Sequence, residues 1–133
     1  MNTYSKEFED IPGTTIFNAT KSRIGYHLNM FCMALIKAEN RAEFKADEAA
    51  YLQKFALTAE QKEAILTRDY NRMIELGANV FFLAKLCSTD AKPVIAMVAD
   101  MSGASQEEYT QMMLRGGRPI DGNRYTQEWT NNG

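Results

Sequence analysis

The sequence predicts an all-α domain, and three features carry that expectation. Apolar residues recur at helical spacing in Ile24, Leu28, Phe31 and Leu35, which fall at i, i+4, i+7 and i+11. Two capping boxes mark helix starts, Thr58 with Gln61 and Ser105 with Glu108. Glycines stand where helices have to stop, at Gly77 and at Gly116-Gly117. The expected architecture is a compact bundle of short helices around one long central helix, forming a single domain over 1–133. Extended arms flank it, an N-terminal one over 1–17 and a C-terminal one over 118–133.

In chain order, Ile11-Pro12-Gly13 is a turn signal within the N-terminal arm, and Ile16 and Phe17 are its large apolar anchors. Asn18 or Thr20 can cap the helix that follows. Lys21 to Asn40 reads as the central helix, about 18 residues and roughly 27 Å long. Tyr26, Met30 and Met33 form a second apolar stripe along it, so its middle turns are expected to be covered by other segments. Phe44, Tyr51 and Phe55 then fit one face, in one helix or in two broken at Asp47. The charged residues Arg41, Glu43, Lys45, Asp47 and Glu48 read as a solvated face.

Thr58 opens a helix expected to run to about Thr67 and to bury Ala64 and Ile65. Asp69 caps the next, whose apolar set is Tyr70, Met73 and Ile74, and Gly77 ends it. Val80 to Leu86 begin a further apolar helical stretch. The run VIAMVADM after Pro93 is ambiguous by period alone: a short strand, a buried helix or a flap. Held between Pro93 and Gly103, it could cover a partner's surface as well as the chain's own core. Ser105 starts a last helix, and Pro119 prevents its renewal. The tail holds the sole tryptophan, Trp129, which suits either a disordered tail or an arm docking on a partner.

A formal net charge of −2 gives no sign of a nucleic-acid or anionic-membrane partner. No apolar run approaches the roughly 18 residues that a membrane span needs, and Met1 to Asp10 lacks a signal-peptide pattern, so a cytoplasmic location is expected. Cys32 and Cys87 read as buried free thiols. Only one histidine is present, His27, which reads as packed in, or at the edge of, the central helix. Facial-triad iron sites need two histidines and a carboxylate, and catalytic zinc sites usually need more than one histidine. If the protein takes part in metal chemistry, another chain holds the metal. No phosphate loop is present, and no Ser or Cys nucleophile has a plausible base. From its residues the chain reads as a binding or accessory domain with no catalytic residue of its own.

Four stretches are more particular than generic helix: FEDIPGT (Phe8 to Thr14), GYHLNMFCMALIKAENRAEFKADEAAYL (Gly25 to Leu52), LTAEQKEAILTRDYNRMIELGANVFFLAKL (Leu57 to Leu86) and SQEEYTQMMLRGG (Ser105 to Gly117). Together they resemble the LigA family, the small alpha subunits of protocatechuate 4,5-dioxygenase. The resemblance implies a helical, non-catalytic subunit pairing with a larger beta subunit, often as an alpha2beta2 assembly. It implies Fe(II) held by that partner, none bound by this chain, and extradiol cleavage of a catechol ring. It also implies that this chain caps the active-site mouth and lines part of the substrate pocket.

On the same grounds, the pocket lid comprises Ala91, Lys92, Pro93, Val94 and Ile95, within and after the motif Thr89-Asp90-Ala91-Lys92. Relatives usually carry TDGK, a small residue and an aromatic. Ala91 in place of the glycine restricts the backbone if the position needs positive φ. Val94 in place of the aromatic leaves a smaller wall, so gallate or a methoxylated catechol rivals protocatechuate as substrate. Phe17, Met97, Val98 and Trp129 are expected at the partner interface. The alternative reading is a stand-alone helical binding module that reuses the fold without dioxygenase activity.

Overall fold

The structure, a computed structural model, describes residues 15–117. Among the described residues it is all-α, with no strand. The helices are α1 (Ala19–Ile24), α2 (Tyr26–Ala34), α3 (Ala38–Ala46), α4 (Glu48–Leu52), α5 (Ala59–Leu66), α6 (Tyr70–Glu75), α7 (Val80–Thr89), α8 (Val94–Ser102) and α9 (Gln106–Leu114). The N-terminal arm up to residue 14, Pro119 and the tail with Trp129 lie outside the described residues.

The expected long central helix is not there; its residues are divided among α1, α2 and α3. The first break is at Gly25, whose backbone passes against that of Gly77 so closely that a Cβ on Gly25 would lie 1.9 Å from the Gly77 carbonyl oxygen. Two buried amides hold this crossing. Gln61 Nε2 donates to the carbonyls of Ile24 and Leu76 at 3.0 and 3.1 Å. Asn29 Nδ2 donates to the Gly77 carbonyl at 3.0 Å, and Asn29 Oδ1 accepts from the Asn79 amide at 2.9 Å. The second break, at residues 35–37, is stabilised by side chains folding back onto backbone carbonyls. Asn40 Nδ2 donates to Ala34 O at 2.8 Å, and Arg41 Nη1 donates to Leu35 O and Ile36 O at 2.9 and 2.8 Å.

The expected core face survives in α2, where Leu28, Phe31 and Cys32 are fully buried, with Leu35 just beyond its end. Ile24, placed before the break, leaves that register and is exposed. The stripe expected to be covered is instead open: Tyr26, Met30 and Met33 are 57%, 44% and 36% exposed. His27 is exposed as well, at the edge of α2 with its ring edge-on to Tyr26.

Phe31, Phe44, Tyr51 and Phe55 gather into one aromatic cluster with mostly edge-to-face ring contacts, a geometry that the ring quadrupoles favour. The chain reaches it through α3 and α4, broken at Asp47, whose carboxylate accepts from the Ala50 amide. Both capping boxes form, at Thr58 and at Ser105. Asp69 and Asn79 cap α6 and α7, and Gly77 takes φ +103 past the end of α6. The ambiguous VIAMVADM run is helix α8, burying Met97 and Ala99 and closed by Gly103 at φ +79. α7 lies against α2, α8 against α7, and α9 against α8.

Candidate functional site

The segment from Thr89 to Ile95 joins the end of α7 to the start of α8. It is built as a left-handed helix stop. The Ala91 amide donates to Ser88 O and the Lys92 amide to Cys87 O, both at 3.0 Å, the paired bonds of a Schellman motif. That motif requires a left-handed residue, and Ala91 adopts φ +56. The position therefore does need positive φ, and a Cβ is carried there against the usual preference for glycine. Pro93 follows as the N-cap of α8 at φ −68, where its missing N–H costs nothing.

Polar contacts brace the turn. The buried Thr89 hydroxyl donates to Lys85 O at 2.7 Å. Cys87 Sγ lies 3.2 Å from Lys92 O, and burial pushes its thiol pKa up. Lys92 Nζ reaches Asp100 Oδ2 at 2.8 Å, and that hydrogen bond raises the ammonium's pKa. Asp90, the last residue before the left-handed position, is chelated by Arg68, from Nε to Oδ2 at 2.7 Å and from Nη2 to Oδ1 at 3.0 Å. The same guanidinium grips Glu48 at 2.9 and 2.7 Å. Burial works against its charge, but the hydrogen bonds to Asp90 and Glu48 outweigh that and hold its pKa above the ordinary value. Part of the charge run read as a solvated face is thus an internal clamp.

The predicted site residues divide into separate places. Ala91, Lys92, Pro93 and Val94 are exposed on one turn, with Val94 51% accessible and Ile95 half-buried beside it. Met97, expected at the partner interface, is 1% exposed and belongs to the chain's own core, because α8 turns that side toward α7. Val98 is half-buried against the same core. Phe17 is brought elsewhere. It lines an apolar groove of about 450 Å³ with Ile74, Val80, Phe81 and Met101, and with the amide side chains of Asn71 and Asn79. Met101 stands seven residues beyond Val94, roughly 10 Å along α8, so the groove and the Ala91–Ile95 turn lie at opposite ends of one helix.

Sequence reasoning missed Arg68, the open stripe on α2 and the groove. The apolar stripe at Tyr26, Met30 and Met33 was visible, but not which side of the helix its neighbours would leave bare. Phe81, 78% exposed, carried no signal beyond its place in an apolar run. His27 stands alone. Among the described residues no group of three His, Cys, Asp or Glu side chains is arranged to hold a metal ion. Among the same residues no helix is long and apolar enough to cross a membrane.

Comparison with known proteins gives two findings. Residues 28–114 match the family model of the aromatic-ring-opening dioxygenase LigAB, LigA subunit. Gallate dioxygenase of Pseudomonas putida is 28% identical over 101 residues, which are 76% of this chain and 30% of that protein. The chain thus spans under a third of the length of this curated relative.

Proposed function

The chain belongs to the LigA family of aromatic-ring-opening dioxygenase subunits, and from that premise we propose that it is the non-catalytic small subunit of an extradiol ring-cleavage dioxygenase resembling protocatechuate 4,5-dioxygenase. In this reading it caps the active site of a larger beta subunit, which holds Fe(II), and the Ala91–Ile95 turn forms part of the aromatic substrate pocket. The observation that carries it is the family match across the helical body, taken with a donor set that offers a single exposed histidine. What the chain itself contributes is a wall: a braced turn with a small apolar side chain, Val94, at its surface. A wall that keeps water out strengthens electrostatic control at the reacting centre and shields reactive intermediates.

The substrate class is a catechol carrying a carboxylate. Gallate ranks beside protocatechuate, because the relative is a gallate dioxygenase and because Val94 leaves room where the family resemblance implies an aromatic ring. The open stripe of Tyr26, Met30 and Met33 supports a partner surface, since contiguous exposed apolar side chains on a helix mark interaction sites. The test is co-expression with a larger subunit carrying the two-histidine, one-glutamate iron site, followed by iron and oxygen-uptake assays on the pair and on each chain. Ring cleavage by the pair, with none by this chain alone, is the expected result. Stoichiometric iron and oxygen uptake by this chain alone would overturn the reading, and so would a failure of the two chains to associate.

A further inference from the structure

Two non-glycine residues among those described hold a left-handed backbone, Arg68 at φ +55 and Ala91 at φ +56. They are far apart in sequence, yet the side chain of one grips the residue preceding the other. Strained backbone of this kind persists only where the surroundings over-determine it, and it collects at functional positions.

Arg68 supplies that over-determination. Its own helix stop is closed by Arg68 N–H to Ile65 O and Asp69 N–H to Ala64 O, and its Nη1 also donates to Ile65 O at 2.6 Å. The guanidinium lies over the Phe44 ring, 5.3 Å from its centroid. Beyond that it makes two forked contacts, one to Glu48 at the start of α4 and one to Asp90 at the end of α7. A planar guanidinium forms such paired bonds with fixed geometry, whereas a lysine ammonium acts as a point charge. The clamp therefore ties the Ala91 turn to the aromatic core through one rigid group, and all three side chains are largely shielded from solvent.

We propose that Arg68 is a positioning residue that fixes the Ala91–Ile95 turn and, through it, which ring substituents the pocket accepts. The second half of this statement rests on the functional reading above; the first half does not. The variants are Arg68→Lys, which keeps the charge and loses the fork, and Asp90→Asn, which keeps the shape and loses the ion pair. Leu28→Val, a core change at a residue that makes none of the clamp's bonds, serves as a control for loss of stability without loss of positioning.

Hydrogen exchange of the full chain alone reads the first half. Protection of the Ala91 and Lys92 amides should fall about tenfold in Arg68→Lys and in Asp90→Asn, equivalent to about 1.4 kcal/mol, and stay unchanged relative to the rest of the chain in Leu28→Val. Equal protection at those two amides in all four proteins overturns the proposal, whatever the enzyme does. In the assembled enzyme, the ratio of kcat/KM for gallate over protocatechuate should shift severalfold in both clamp variants and not in the control. Loosened amides with an unchanged ratio overturn the link to ring selection. Absence of ring cleavage by the wild-type pair overturns that link together with the functional reading, and the exchange result still decides the clamp.

Discussion

Replacing Gly25 with alanine tests the crossing that divides the expected central helix. Gly25 has φ −93 and ψ 5, a conformation open to alanine, so the backbone itself contributes no penalty. The whole cost is contact. The new Cβ would stand 1.9 Å from Gly77 O, 2.3 Å from its carbonyl carbon and 2.6 Å from its Cα, whereas ordinary contact begins near 3.4 Å. All three atoms are backbone, so no side chain can swing aside and the two segments must part by more than 1 Å. Parting strains the bonds that Gln61 and Asn29 make across the crossing. Overpacking of this kind costs 1–3 kcal/mol, and each buried bond lost adds roughly 1 kcal/mol, for a total of about 3–5 kcal/mol. For a domain of this size that lowers Tm by about 15 °C. Gly103→Ala is the internal comparison: nothing lies within 4 Å of its Cβ, but φ is +79. Only the left-handed backbone resists, at about 1 kcal/mol and about 4 °C. Urea and thermal unfolding of both variants decide the matter. Gly25→Ala losing no more stability than Gly103→Ala would refute the reasoning.

Three further outcomes are expected. Ala91→Gly should raise stability by about 0.5–1 kcal/mol, since relief of left-handed strain exceeds the added freedom of the unfolded chain; a lower urea midpoint would count against the left-handed assignment. Burial raises the Cys32 thiol from 9.0 to about 12, so the folded chain keeps a proton that the unfolded chain gives up. Stability should then fall as pH rises above about 9, by at most about 1.4 kcal/mol per pH unit until the folded thiol itself titrates. The slope of urea midpoints between pH 8 and 10 should flatten in Cys32→Ala, and equal slopes would remove Cys32 as a cause. Val94→Phe should change relative kcat/KM across a set of catechols in the proposed assembly while circular dichroism stays the same, because the side chain is half exposed in this chain; unchanged ratios would take Val94 out of the pocket.

Where the sequence was legible, the information was local. A Thr58 hydroxyl three residues before Gln61 specifies its own hydrogen bonds, and both capping boxes formed where the spacing put them. The buried positions Leu28, Phe31, Tyr51, Ala64, Ile65 and Met73 followed from period alone. What failed was long-range. Gly25 inside a helical pattern shows a weak spot, but its partner is Gly77, which reads by itself as an ordinary helix stop. Their contact depends on how α6 returns to α1. The break at residues 35–37 was hidden because Leu35, Ile36 and Lys37 all suit a helix, and the groups that end it are the side chains of Asn40 and Arg41. Met97 and Val94 show the same limit at the site. Period identified both as apolar, and only packing sent one into the core and left the other outside.

The distribution of rigidity bears on what such a chain can do for a partner. The Ala91–Ile95 turn lies on the surface, and surface turns are usually the least stable parts of a fold. Here its left-handed residue is enclosed by two backbone bonds, preceded by a doubly chelated carboxylate and followed by a proline. The exposed apolar side chains of α2, by contrast, include two methionines, residues that adapt readily to an opposing surface. The proposed accessory role would use this division: a compliant face to adhere with, and a stiff edge to present. If the braced turn instead served only to end α7, a glycine at position 91 would close it with less strain, and the paired carboxylates on Arg68 would be more than the stop requires.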